Sequence, residues 1–269
     1  FAMFGGLAGL PLYLQIAKGM SPTAAGLAML PFTVGILIMG VVSAKVIHAT
    51  GRYKIFPVIG ISLLVVAGLY LSTLSADSQL WHLAIGATVF GLGLGGVMQP
   101  NMLAVQNAVE PRDMGTGSAS VMFFRQIGGS LGTAVFLSIM FSTVAGNIAT
   151  EFEKAAPTPQ FQAALADPAV LEDPLNAAVI GVITSGSLEG AEEAGISLDD
   201  TSFIQRLDPV LAAPFEEGFA DSITDVIFIS SFITMAALIF ALLVPQLPLR
   251  EKSGLETIRD GDHELGVGL

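Results

Sequence analysis

The sequence predicts an all-α membrane protein built as a bundle of six transmembrane helices, and three observations carry that prediction. Of its 269 residues 52% are hydrophobic and 13% charged, with mean hydropathy +0.72, where a soluble domain carries about 25% charged residues. The few charges gather into short groups that leave long uncharged stretches between them. Lysine and arginine then fall mostly in alternate connections, as they do in chains that cross a bilayer repeatedly.

The uncharged stretches are 1–17, 19–44, 55–76, 78–109, 114–150 (Arg125 excepted) and 226–249. A spanning helix needs about 20 mostly apolar residues, so five are long enough and the first reads as a truncated sixth. Residues 1–149 are thus expected to form five transmembrane helices and 150–220 an acidic extracytoplasmic loop. The last transmembrane helix is placed at 221–247 and a cytoplasmic tail at 248–269. The apolar run at 175–183 is too short to span and is expected as a short helix within the loop. Further short helices are expected around 160–180 and 203–220. Phe1 begins inside an apolar run, with no initiator Met and no basic n-region, so the chain reads as cut, with its N-terminal part missing.

Seven cations (Lys45, Arg52, Lys54, Arg112, Arg250, Lys252, Arg259) fall on one side of this arrangement. Lys18, Lys154 and Arg206 fall on the other. The positive-inside rule therefore places both ends in the cytoplasm and the acidic segment outside a plasma (inner) membrane. The formal charge of −12 belongs to that segment: Glu151 to Asp225 holds 15 acidic and two basic residues. Such acidity makes nucleic acid an unsuitable partner. The chain has no cysteine, and its three histidines (His48, His82, His263) are scattered, so no metal site or cofactor is expected.

Glycines recur four apart inside the spans, at Gly5 and Gly9, Gly91 and Gly95, Gly128 and Gly132. Small residues at that spacing let helix backbones approach closely in lipid, so these are expected to be helix-packing positions. Gln15, Gln99, Asn101 and Gln126 are uncharged polar groups within spans. Arg125 is the one charge among the 37 residues from 114 to 150. Counted from Gly115 it lies ten residues in, about 15 Å along a helix axis and close to the midplane of a ~30 Å core. A charge there costs about 2.5–3.5 kcal/mol on insertion scales, so it should face protein or water. It either lines a pathway or clamps polar groups between helices. Gln126 points about 100° away from it and cannot share the same wall.

The stretches LPLYLQIAKGMSPTAAGLAMLPFTVG (10–35), GRYK (51–54), GLGLGG (91–96) and FFRQIGGSLGTA (123–134) resemble the major facilitator superfamily. More narrowly they resemble its fourteen-spanner drug:proton antiporters. The resemblance covers 1–145 well and the last helix loosely. It implies the C-terminal half of a transporter, whose N-terminal half carries the proton-binding carboxylates. It also implies that the first, fourth and fifth helices here line the pathway, making Gln15, Gln99, Asn101, Arg125 and Gln126 candidates for it. The superfamily's cytoplasmic loop signature survives only as Gly51, Arg52 and Lys54; Ala44, His48 and Ala49 stand where Gly, Asp and Arg would be. The function implied is proton-coupled efflux of drugs or other amphipathic organic compounds, with lipid, small-molecule substrate and protons as partners. Export of a siderophore, lipid or sugar fits the same motifs. A membrane sensor using the acidic outer loop is a rival from another class. A membrane enzyme would need a reactive polar cluster at the surface, which the sequence lacks.

The topology has a direct test in this cysteine-free chain. Ser187→Cys should react with a membrane-impermeant thiol reagent on intact cells and Ser253→Cys should not. The reverse labelling pattern would overturn the assigned orientation.

Overall fold

The computed structural model describes residues 2–185 and 201–248, leaving aside the side chains of 2–7 and 182–185. The tail cations Arg250, Lys252 and Arg259 lie outside the described residues. All regular structure among the described residues is helical: α1 (Ala2–Ile16), α2 (Pro22–Ala28), α3 (Leu30–Thr50), α4 (Ile55–Leu71) and α5 (Leu80–Ala108). There follow α6 (Met114–Ala155), α7 (Pro159–Ala166), α8 (Pro168–Glu172), α9 (Pro174–Ser185) and α10 (Pro209–Leu243). Six apolar helical segments (α1, α2–α3, α4, α5, α6, α10) run back and forth between two ends. One end carries the turns at Gly51 and Pro111. The other carries the turns at Gly19 and Ser75, and a helical cap built from α7–α9 sits on it.

The breaks follow from the residues that make them. Gly19 and Gly51 take φ of 58° and 68°, left-handed values that a side chain disfavours. Gly51 there ends α3, its N–H returning to the Ile47 carbonyl. Pro31 has no N–H to donate back into a preceding turn, so α2 and α3 meet at a kink around Met29. Among the described residues, four segments can cross a membrane by length and composition: Pro22–Thr50, Leu80–Ala108, Pro111–Ala155 and Pro209–Leu243. The apolar α4 has 17 residues, about 26 Å at ~1.5 Å each, and α1 has 15. Both fall short of a full span by length alone, where the sequence reading had α4 as a complete one.

Packing in the bundle centres on α5, which lies between α3 and α4. Its glycines face backbone. A Cβ on Gly91 would overlap the Phe32 carbonyl oxygen, and one on Gly95 would sit 2.5 Å from that of Ile36. On the other side Gly93 and Gly60 oppose each other, each Cβ position 2.6–2.8 Å from the other's carbonyl oxygen. Gly9 likewise leaves room for the Phe136 ring, 2.7 Å from where its Cβ would be. Gly132 is buried and Gly128 half-buried, while the surroundings of Gly5 lie outside the described side chains. Around these contacts a core of Leu10, Tyr13, Leu14, Leu71, Ala87, Phe136 and Ile223 is almost fully closed.

The segment expected as a loop differs from its sequence reading. Helix α6 continues to Ala155 and α10 starts at Pro209, twelve residues before the expected boundary at 221. The acidic residues Glu216, Glu217, Asp221 and Asp225 interrupt the apolar run but not the helix. Leu211, Phe215, Phe219 and Ser222 recur on its buried face. The prolines that suggested loop are helix starts. Thr158-Pro159, Asp167-Pro168 and Asp208-Pro209 each place a capping side chain before a proline in the first turn. Val144, Ile148, Val179, Phe203, Phe215 and Phe219 give the cap its own core. Phe215 meets Phe152 and Phe203 edge-on at centroid distances of 5.0 and 5.4 Å.

The glycine contacts predict a contrast. Gly91→Ala forces α3 and α5 apart and should cost about 1–3 kcal/mol, lowering the thermal unfolding midpoint of the purified protein. Gly40→Ala puts its Cβ where nothing lies within 4 Å and should be neutral or slightly stabilising, alanine being the better helix former. Equal midpoints for the two variants would refute the backbone-contact account.

Candidate functional site

Two regions bring polar groups together, one toward each end of the bundle. In the half nearer Gly51, α6 carries an uninterrupted stripe at spacings of four, three, four and four: Arg125, Gly129, Gly132, Phe136 and Met140. The last four are buried against the bundle, and Arg125 is exposed. On α5 a matching stripe runs Phe90, Leu94, Val97, Asn101. Phe90 and Leu94 are buried, Val97 is half-buried and Asn101 is exposed. At that depth, then, both core-facing stripes end in a polar residue with no neighbour over it.

The helices part there for a visible reason. Antiparallel α5 and α6 touch near the Gly51 end, where Gln106 Nε2 donates to Ser118 Oγ at 3.0 Å and Gly117 meets Val105 and Val109. Asn101 and Arg125 lie five and seven residues from that bond, about 8 and 10 Å along the axes, so they share a level. Helix α1 runs parallel to α6, Gly9 meeting Phe136 and Ile16 clustering with Val144 and Ile148. Residues 122–127 are exposed, with Phe124 at 71%.

The remaining sequence candidates separate from this pair. Gln126 is exposed about 100° round α6 from Arg125, and Gln99 is exposed about 200° round α5 from Asn101. Gln15 is half-buried near the opposite end of α1, its Nε2 donating to the Pro11 carbonyl of its own helix at 3.2 Å. Of the five, Arg125 and Asn101 are the two that extend a buried stripe of their own helix. The loop signature also resolves into separate roles. Gly51 makes the left-handed turn, Arg52 is exposed, and Lys54 Nζ donates to the Leu242 carbonyl in the last turn of α10 at 2.8 Å. A cation there meets the negative end of the helix dipole. Tyr53, which no motif singled out, is buried, and its hydroxyl accepts the Leu247 N–H at 3.0 Å.

The capped end holds a seam that sequence reasoning missed. The Tyr13 hydroxyl donates to the Ser75 carbonyl at 2.6 Å and Lys18 Nζ donates to that of Ala76. The Ala76 N–H donates to Glu217 Oε2 on α10 at 2.6 Å. Asn147 on α6 donates to Ser222 Oγ at 2.9 Å. Glu216 and Glu217 lie about 14 Å beyond the uncharged run that begins at 226, at ~1.5 Å per residue, and so outside an apolar core. Burial pushes both carboxyls above the usual carboxylate range and the Lys18 ammonium below its own. Beside the seam lies an open cavity of about 550 Å³ lined by Asp77, Glu151, Lys154, Phe161, Glu216 and Glu217 among others. Its signal in the sequence was only an excess of acid, with nothing to say which residues meet.

Known proteins resemble this chain throughout its length. The family model described as Major Facilitator Superfamily matches residues 1–133. A tetracycline resistance determinant of Streptomyces rimosus is 33% identical over 218 residues, covering 81% of this chain and 60% of that protein. An uncharacterized MFS-type transporter of Mycobacterium tuberculosis is 31% identical over 270 residues, covering 100% of this chain and 33% of that protein. The multidrug transporter protein MdtP of Bacillus subtilis is 30% identical over 151 residues, covering 55% of this chain and 27% of that protein. The chain thus spans 60% or less of the length of these relatives. With apolar helices packed through glycine, a mid-helix arginine on an uncovered stripe and these relatives, the chain belongs to the major facilitator superfamily of membrane transporters.

Proposed function

We propose that this chain is the C-terminal six-helix half of a proton-coupled exporter of drugs or other amphipathic organic compounds. On this reading it lies in the plasma membrane with both ends cytoplasmic and the cap outside, and α1 and α4 span with the other four. Arg125 carries the proposal. It continues the core-facing stripe of α6 formed by Gly129, Gly132, Phe136 and Met140. A charge at that depth in lipid is costly, so an arginine on the core-facing rather than the lipid-facing side supports a polar pathway wall. The names of the relatives, a tetracycline resistance determinant and a multidrug transporter, support organic compounds as the cargo.

Mechanistically, Arg125 is a fixed positive charge, since guanidinium does not deprotonate in proteins. Facing it across the cavity would be the carboxylates of the other half. A cation within a few ångströms lowers a carboxyl's pKa, so approach of the halves would favour proton release and separation would favour uptake. Asn101 would add a neutral donor and acceptor beside the charge. The other half of the pathway, the substrate and the coupling ion all belong to this proposal.

Three measurements test it in the full-length transporter. Arg125→Cys and Asn101→Cys should react with a polar thiol reagent admitted to the cytoplasmic side, whereas Phe136→Cys should not. Arg125→Ala should abolish or strongly reduce drug efflux while the protein reaches the membrane at normal level. The groups it leaves unpaired cost about 1–3 kcal/mol each. Arg125→Lys should retain much of the activity if charge alone matters and little if the planar fork is needed. Normal efflux with normal pH dependence in Arg125→Ala would rule out a pathway role. Efflux from cells making these 269 residues alone would rule out the half-transporter reading.

A further inference from the structure

The peptide Ser75–Ala76 is gripped from two helices that are far apart in sequence. From α1 comes the Tyr13 hydroxyl and from the turn after it the Lys18 ammonium, both donating to its carbonyls. From α10 comes Glu217, which accepts the Ala76 N–H. Glu217 lies in the extension of α10 that carries the cap core, one position before Gly218, which packs directly on the Ile148 backbone of α6. The turn between α4 and α5 is therefore one of the places where the cap is tied to the bundle. The bonds there are few and partly wet, and most of the groups that surround them are acids.

We propose that the cap is fastened to the bundle by a proton-dependent staple, in which the Glu217 carboxyl holds the Ser75–Ala76 turn most firmly when it and its neighbour Glu216 are protonated. The groups facing Glu217 come from every element at the seam. The acids are Asp77 on the turn, Glu151 on α6, and Glu216 and Asp221 on α10. The cations are Lys18 beyond α1, beside Glu216, and Lys154 on α6, which pairs with Glu151. Five acids against two cations leave repulsion that protonation relieves. A protonated carboxyl still offers a carbonyl oxygen to the Ala76 N–H, so the bond survives while the charge is shed. Burial first raises the Glu216 and Glu217 carboxyls, against the opposing pull of Lys18 on Glu216 and of the Ala76 N–H on Glu217, and the neighbouring acids add to the rise. When the cap lifts and water enters, they return to about 4. The fastened arrangement thus binds more protons than the lifted one. Its extra stability is full below about pH 4 and is lost as the pH rises through the raised values. Acid on the capped side would tighten the cap, and neutral or alkaline conditions would loosen it.

The proposal concerns the cap whatever the chain exports, and its test reads structure rather than efflux. Amide hydrogen exchange, corrected for intrinsic rates, is measured on the intact membrane protein in lipid nanodiscs at pH 5 and pH 7.5. Peptides covering 72–79 and 203–217 should be protected severalfold more strongly at pH 5. Glu217→Gln, neutral at both pH values and still an acceptor, should lose most of that difference, its protection at pH 7.5 rising toward the acid level. Glu216→Gln should shrink the difference in the same direction. Glu153→Gln, on the exposed face of α6, should leave it intact. Equal protection of the wild type at both pH values, or stronger protection at pH 7.5, would overturn the proposal without any variant being made. An undiminished difference in both Glu217→Gln and Glu216→Gln would do the same.

Discussion

Everything else in this bundle depends on the backbone contact of α5 with its two neighbours. Within lipid, apolar side chains gain little by leaving one hydrocarbon environment for another, so helices associate through close dispersion contact and weak polar contacts. Gly91 and Gly95 let α3 approach α5 until facing carbonyls sit where side chains would begin, and Gly60 and Gly93 do the same for α4. Such spacing brings many atoms to contact distance at once, each worth only about 0.1–0.2 kcal/mol. It is also the geometry in which Cα–H groups can donate weakly to carbonyls. A methyl at any of these positions would push a whole helix, not a side chain.

That tight triplet contrasts with the loose junction between α5 and α6. Those two helices meet near the Gly51 end, and above that point Asn101 and Arg125 are exposed at the ends of stripes that are otherwise buried or half-buried. The two facts are linked. Because α5 is locked to α3 and α4, it cannot follow α6, which is held instead by α1 and α10 through Phe136 and Ile148. Helix α10 packs on both α6 and α4 and so closes the bundle on the side away from the α5–α6 junction.

The ends show how polar backbone is satisfied where apolar packing stops. At one end Lys54 and Tyr53 hold the C-terminal turn of α10 and the segment after it. At the other, Tyr13, Lys18 and Glu217 hold the turn at Ser75–Ala76. Each end uses long side chains from one helix to reach backbone groups of another, the economical way to bond carbonyls and N–H groups that no helix can pair internally. The cap extends this by continuing α6 and α10 beyond the apolar core and filling the space between them with Phe152, Phe203, Phe215 and Phe219.

What the sequence determined by itself was set by local chemistry. Uncharged runs located the apolar helices, glycine at spacing four marked close packing at Gly91 and Gly95, and Arg125 stood out because a charge at that depth needs a reason. Conversely, the excess of acid after Glu151 argued for loop. Acids sit comfortably at helix starts, and charge ends an apolar run without ending a helix. Only the tertiary structure could decide that Asn101 and not Gln99 continues the buried stripe of α5, since that depends on which side of α5 its neighbours pack. It alone brought Glu217 to the Ala76 N–H across 141 residues of chain. Contacts of that kind arise from the sum of helix packing angles, and no local pattern of residues encodes a sum.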